Sequence, residues 1–106
     1  MARYLIKATY TAEGVRGVIK EGGSSRRSNL EQTVQKLGGS LEGFYFAFGE
    51  DDVYVVASLP DNVTAAAVGL AVNASGAVRT RTVVLLTPEE MDEAAKRSVE
   101  YRPPGV

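Results

Sequence analysis

The stretch SLEGFYFAFGEDDVYVVASLP, residues 40–60, decides the fold. Residues 40–48 are aromatic-rich and extended in character, which predicts a strand from Ser40 to Phe48. Gly49-Glu50-Asp51 is a short turn, and Asp52 to Leu59 is a second run of β-branched and aromatic residues. So short a connection joins only antiparallel neighbours, so the two runs form a hairpin. Pro60 breaks the second strand and Asp61 caps a helix over Asn62 to Ser75. That helix is rich in alanine (Ala65, Ala66, Ala67, Ala71, Ala74), and its small side chains let it lie close to a sheet.

Working outward, Arg3 to Tyr10 reads as a strand with Thr11 as the N-cap of a following helix and Glu13 in its first turn. Val15, Val18 and Ile19 fall on one face of that helix. Gly22-Gly23 interrupts it. A second helical segment starts around Ser24 or Ser25, carries Leu30, Val34 and Leu37, and stops at Gly38-Gly39. On the other side of the hairpin, Gly76 ends the alanine-rich helix and Ala77 to Leu86 is a fourth strand. Thr87-Pro88-Glu89-Glu90 has the spacing of a capping box with proline at the first helical position, predicting a helix over Pro88 to Ser98. The prolines at 103 and 104 make the remaining tail extended.

The order is β-α-β-β-α-β with one further C-terminal helix. It predicts an α+β, ferredoxin-like domain over residues 1–106, with a four-stranded antiparallel sheet and helices on one face. At 44% hydrophobic and 24% charged residues, the chain has the composition of a globular rather than a disordered protein.

Composition narrows the chemistry. The chain has no cysteine, which removes disulfides, thiolate nucleophiles and thiolate metal sites. It has no histidine, which removes the usual general base and any Ser-His-Asp triad. Twelve basic and thirteen acidic residues give a net charge of −1, which argues against a nucleic-acid partner. Lys7 arrives too early for a signal-peptide core, and Val63 to Val78 is too short and polar to span a bilayer, so the expected location is the cytoplasm, away from membranes.

Strand alternation sorts side chains between two sheet faces. Tyr4, Ile6, Ala8 and Tyr10, with Val53, Val55, Ala57 and Leu59, and Val78, Thr80, Thr82 and Val84, are placed towards the helices. The opposite face then carries Leu5, Tyr54, Val56, Val83 and Leu85 among Lys7, Asp52, Arg79 and Arg81. In the first strand of the hairpin, Tyr45 and its Phe neighbours compete for the same side. A monomer rarely leaves so much apolar surface wet, so a second copy is the expected partner, in a homodimer or larger assembly.

Lys7, Tyr45, Asp52, Tyr54, Arg79 and Arg81 are the candidate residues for a small anionic or carboxylate ligand, held by charge-assisted bonds. The competing reading makes the cations interfacial ion pairs or solvated side chains. Ser24, Ser25, Arg26 and Arg27 form a second candidate, an anion site at a helix start, although the segment lacks the lysine-hydroxyl ending of a P-loop. Glu50-Asp51-Asp52 offers oxygen ligands but no EF-hand spacing and reads as a solvated hairpin tip. No metal and no cofactor is expected.

Several segments together resemble the GYD-domain proteins: Tyr4-Leu5-Ile6 through Tyr10-Thr11, Gly22 to Arg27, Phe44 to Gly49, Leu59-Pro60-Asp61-Asn62 and Leu86 to Met91. The resemblance implies a ferredoxin-like subunit related to the dimeric α/β-barrel proteins, in which two sheets pack face to face. Of the family's eponymous Gly, Tyr and Asp, Gly49 and Asp52 match, and the Tyr position holds Asp51. The family carries no established general activity, so the resemblance speaks to fold more than function. The leading expectation is a small oligomeric protein that binds a small molecule or a protein partner at the sheet or at the helix–sheet cleft. One alternative, implied by related barrels, is a cofactor-independent oxygenase or isomerase acting on a small aromatic or carboxylate substrate. It would use Tyr45 or Tyr54 as donor, Lys7 or Arg79 to stabilise an oxyanion, and Asp52 as base. The other is a purely structural assembly module.

Overall fold

In a computed structural model describing residues 1–106, the chain runs β1 (Ala2–Tyr10), α1 (Ala12–Glu21), α2 (Gly23–Lys36), β2 (Ser40–Phe46), β3 (Val53–Leu59), α3 (Asn62–Ala74), β4 (Val78–Leu85) and α4 (Pro88–Lys96). The strands form one antiparallel four-stranded sheet in the order β2-β3-β1-β4, the expected ferredoxin-like arrangement. No helix is long and apolar enough to cross a membrane.

Local signals set most boundaries. Thr11 caps α1, accepting from the Gly14 amide at 3.3 Å, while its hydroxyl donates to the Gly76 carbonyl at 2.9 Å and so ties α1 to the start of β4. Gly22, at φ +86°, makes the break between α1 and α2. The amides of Gly38 and Gly39 donate to the carbonyls of Gln35 and Val34, closing α2 in a Schellman turn. Thr87 and Glu90 form the full capping box of α4.

The helix-facing sets of β1 and β3, with Val78 at the start of β4, are the core, whereas Thr82 and Val84, expected on the same side, are exposed. Tyr4, Ala8, Val53, Val55, Ala57, Leu59 and Val78 are all buried, with Val34 of α2 and Ala65 and Val68 of α3 laid over them. Phe44 and Phe46 take this face in an edge-to-face pair 5.3 Å apart, leaving Tyr45 on the other, beside Tyr54.

The structure corrects four expectations. β2 stops at Phe46: the Ala47 amide still donates to the Asp52 carbonyl, the last bond of the hairpin, and Phe48 beyond it is left exposed. α1 does not bury its apolar face: Val15 is 44% and Ile19 79% exposed, and only Gly14 is buried. Leu37 caps α2 rather than completing its buried stripe. Finally, Asp51 is not a solvated tip residue but 2% exposed.

Candidate functional site

Two places concentrate polar or enclosed chemistry. The first is the open sheet face. Register puts Leu5 between Val56 and Val83, and Lys7 between Tyr54 and Arg81. The apolar half of the face is therefore Leu5, Val56, Val83 and Leu85, and the charged half lies at the β3 start, near Lys7, Arg79 and Arg81. At the charged end Arg81 Nη2 donates to both Asp51 carboxylate oxygens, at 2.9 and 3.0 Å, and Thr9 adds a hydroxyl donor at 3.3 Å. The Tyr54 hydroxyl stands 3.5 Å from the same carboxylate. The Arg81 hydrogen bond, helped by Lys7 nearby, holds the Asp51 carboxyl below its usual range even though burial acts the other way. The same pairing raises Arg81.

Of the residues proposed from sequence for this face, Tyr45, Tyr54, Lys7 and Arg81 do line up on it in adjacent strands. Arg79 lies in an open polar groove with Thr9, Glu50, Asp51, Asn73, Thr80 and Arg81. No carboxylate comes within ion-pair distance of Lys7 or Arg79. Asp52 is engaged by the backbone, its carboxylate accepting from the Tyr10 amide at 2.9 Å and pinning the end of β1 to the hairpin loop. No cluster of acidic side chains is arranged to hold a metal ion.

The second place is a cavity of about 60 Å³ between the sheet and helices α2 and α3. Fourteen residues line it, ten of them hydrophobic, including Ile6, Phe44, Val55, Val68 and Val78. Its polar atoms come from Tyr10, Arg26, Thr80 and Thr82. Gly69 belongs to the α3 wall, where an added Cβ meets only Thr80 Oγ1, at 3.9 Å. Arg26 sits here because Gly22 turns the chain into α2 above β2 and β3, while Gly23 packs so close to Phe46 that a Cβ would come within 2.8 Å of its ring. Its only carboxylate neighbour, Glu21, stands 4.0 Å away. Of the proposed anion site at the α2 start, then, Arg26 leans over the cavity, whereas Ser24 and Arg27 are exposed on the surface. The first turn of α2 has neither a side-chain cap nor an acidic residue.

Sequence reasoning missed Asp51 and Tyr10. For Asp51 a signal existed. Lys7 and Arg81 are aligned neighbours on one face, and two adjacent cations call for an anion, which the acidic hairpin is placed to supply.

Fold and face together define a ferredoxin-like α+β subunit with one unpartnered side of its sheet. The GYD domain model matches residues 4–95, most of the chain, and the protein belongs to the GYD domain family. No curated protein and no solved structure matches it.

Proposed function

We propose that this is a small-molecule-binding protein of the cytoplasm that works as a homodimer, its two open sheet faces packed together. Its ligand is a short apolar molecule with one anionic group, seated in the helix–sheet cavity with the carboxylate turned to Arg26. The observation that carries this reading is the cavity itself, ten apolar residues of fourteen with a guanidinium among the few polar groups. Apolar walls with a few convergent polar groups are the usual make-up of small-ligand sites. A volume of about 60 Å³ is less than half of the ~150 Å³ that takes up a benzene ring, which selects a short-chain acid. Arg26 suits a carboxylate because its planar fork matches two oxygens and its one ion pair, to Glu21 at 4.0 Å, is too long to be a hydrogen bond and leaves its donors free.

The dimer rests on the open face, where Leu5, Val56 and Val83 form an apolar centre that no helix of the same chain covers. The catalytic alternative asks Asp52 to act as a base, and its engagement with the Tyr10 amide speaks against that role.

Titration with propionate and butyrate, followed by calorimetry and thermal shift, tests the ligand. Binding should weaken on the order of tenfold or more in Arg26→Gln, as expected for loss of a charge-assisted hydrogen bond. Equal affinity of the variant and the parent chain would sink this reading. Light scattering at micromolar concentration should give twice the mass of one chain, and a monomer would overturn the dimer.

A further inference from the structure

Helix α4 is completely built and buries none of its residues. It has its N-cap, its capping box, proline in the first turn and Lys96 in the last, so its conformation is well specified by sequence. Yet it makes no substantial contact with the sheet or with any other helix. The chain is accordingly elongated, 57 Å in its longest dimension against 33 and 23 Å in the others. Leu86, Met91, Val99 and Tyr101 are all more than half exposed along this arm. A helix whose apolar positions stay exposed in its own subunit is shaped for another surface.

We infer that residues 86–106 form an arm that crosses to a second copy of the chain and packs beside the charged end of its open sheet face. The inference rests on the sheet-to-sheet dimer proposed above and adds what the arm contributes to it. Three observations select this occupant and this place.

The first is continuity. β4 runs along the edge of the open face and leads straight into α4, whose Glu90 lies within electrostatic reach of Arg3 and of the chain's amino group. A two-fold axis across the strands sets the Leu85 end of one β4 over the Arg79 end of the other, so the arm leaves its own sheet where the partner's cations begin.

The second is charge. The first six residues of α4 include Glu89, Glu90, Asp92 and Glu93; Glu90 serves the capping box and Glu93 pairs with Arg97 at 3.3 Å, which leaves Glu89 and Asp92 without a partner in their own subunit. Lys7 and Arg79, at the far end of the face, have no carboxylate within ion-pair distance in their own subunit. Arg81 is already satisfied by Asp51, so the partner's acids meet unpaired cations, not a neutralised pair.

The third is area. The four strands, ~4.8 Å apart and ~25 Å long, offer on the order of 500 Å² of face per subunit, whereas stable interfaces bury about 800 Å² per partner. The nine residues of α4 and the tail after it supply the kind of additional area that the sheet lacks.

Because the chain has no cysteine, single thiols report the contact cleanly in the full-length protein. Asp92→Cys chains mixed with Arg79→Cys chains should form a disulfide-linked heterodimer under mild oxidant. The rate should exceed, on the order of a hundredfold, that of Asp92→Cys mixed with Arg16→Cys, since assembly raises the local thiol concentration. Arg16, on α1, is the control for the other exposed apolar helix face, and each variant alone gives the background. In parallel, the double substitution Asp92→Lys and Glu93→Lys should weaken the dimer at least tenfold, and adding Arg79→Glu should restore it. A parent chain that scatters as a monomer overturns the dimer and the arm together. A dimeric parent whose Asp92→Cys thiol crosslinks no faster to Arg79→Cys than to Arg16→Cys leaves the dimer standing and overturns the arm alone.

Discussion

Replacing Gly69 by alanine should make the protein more stable and less able to bind its ligand. Gly69 lies in the interior of α3, whose other residues are good or tolerable helix formers. A glycine there costs about 0.8–1 kcal/mol relative to alanine because its backbone loses more freedom on folding. The structure decides whether that gain is realised, since a built Cβ touches only Thr80 Oγ1, at an ordinary 3.9 Å. Part of the new methyl is also removed from water, which adds a few tenths of a kcal/mol. The total, about 1 kcal/mol, should raise the melting temperature by roughly 4–8 °C for a domain near this size. Gly69 and Thr80 both line the cavity of about 60 Å³, so a methyl between them should lower butyrate affinity by roughly tenfold or more. Thermal unfolding by circular dichroism and a calorimetric titration on the same preparation measure both effects. A melting temperature that falls would show that α3 sits closer to β4 than the geometry has it. A rise with undiminished affinity would separate the ligand from the cavity. Gly14→Ala is the internal contrast: its Cβ would lie 2.1 Å from the Ala77 carbonyl oxygen and 2.9 Å from the Tyr10 ring, so α1 must be displaced, at a cost of about 1–3 kcal/mol.

Leu59, fully buried against Tyr4, Val34 and Ala65, should cost about 2–5 kcal/mol on substitution by alanine, measured by urea unfolding. That is a large share of the stability of a small domain, and a loss below about 1 kcal/mol would mean the core is loosely packed. Acid should destabilise the fold through Asp51. Its pKa is depressed in the folded protein by Arg81, so the unfolded state binds more protons at low pH. The stabilisation is complete above the unfolded value of about 3.9 and disappears as pH drops through the folded one. Asp51→Asn should flatten the fall in melting temperature below about pH 5, leaving the slope from Asp61 and Glu90, which their helix-cap amides depress in the same direction. An unchanged slope in the variant would remove Asp51 from the account. Val83→Lys places an ammonium beside Leu5 at the centre of the open face. Because Val83 is already 40% exposed, the fold should persist while the dimer dissociation constant rises on the order of a hundredfold, read by sedimentation.

The strands, their pairing and both sheet faces could be read from residue order because alternation is a local property. Once Val53, Val55, Ala57 and Leu59 share a side, Tyr54 and Val56 must share the other. The helix ends were legible for the same reason: Thr11, Asp61 and Thr87 cap by contacts within three residues. What could not be read is set by contacts far apart in sequence. α1 looks like a core helix by its apolar face, but Gly14 against the Ala77 carbonyl fixes which side it presents to the sheet, and Val15 and Ile19 are turned away. Asn73 clamps α3 to β4, with its side-chain amide donating to Thr80 Oγ1 at 3.0 Å and its carbonyl accepting from the Thr80 amide at 2.9 Å; its spacing carries no signature of this. Arg26 reads as part of a phosphate-type loop because it follows glycines and serines. Only the tertiary placement of α2 over Phe44 and Val55 turns it towards the apolar cavity.

The polar end of the open face bears on whether that face can be covered at all. Burying an unpaired ion at an interface is costly, and a face that carried Lys7, Arg79, Arg81 and a bare Asp51 into a dimer would resist closure. The subunit settles the worst of this before any partner arrives. Asp51 already has two bonds from Arg81 and one from Thr9, and no buried side-chain polar atom is left without a partner. Asp51 is thus a fixed internal counter-ion for Arg81. Lys7 and Arg79 remain, and both lie at the end that an antiparallel partner's acidic helix would reach. Closure of the apolar centre and neutralisation of the charged end are then one event, which predicts that the dimer should weaken with added salt in the parent chain. Shielding of ion pairs that no longer exist has no effect, so the same salt series on the triple variant Asp92→Ala, Glu93→Ala and Arg79→Ala should be shallower than the parent's, the remainder coming from Lys7 and Glu89.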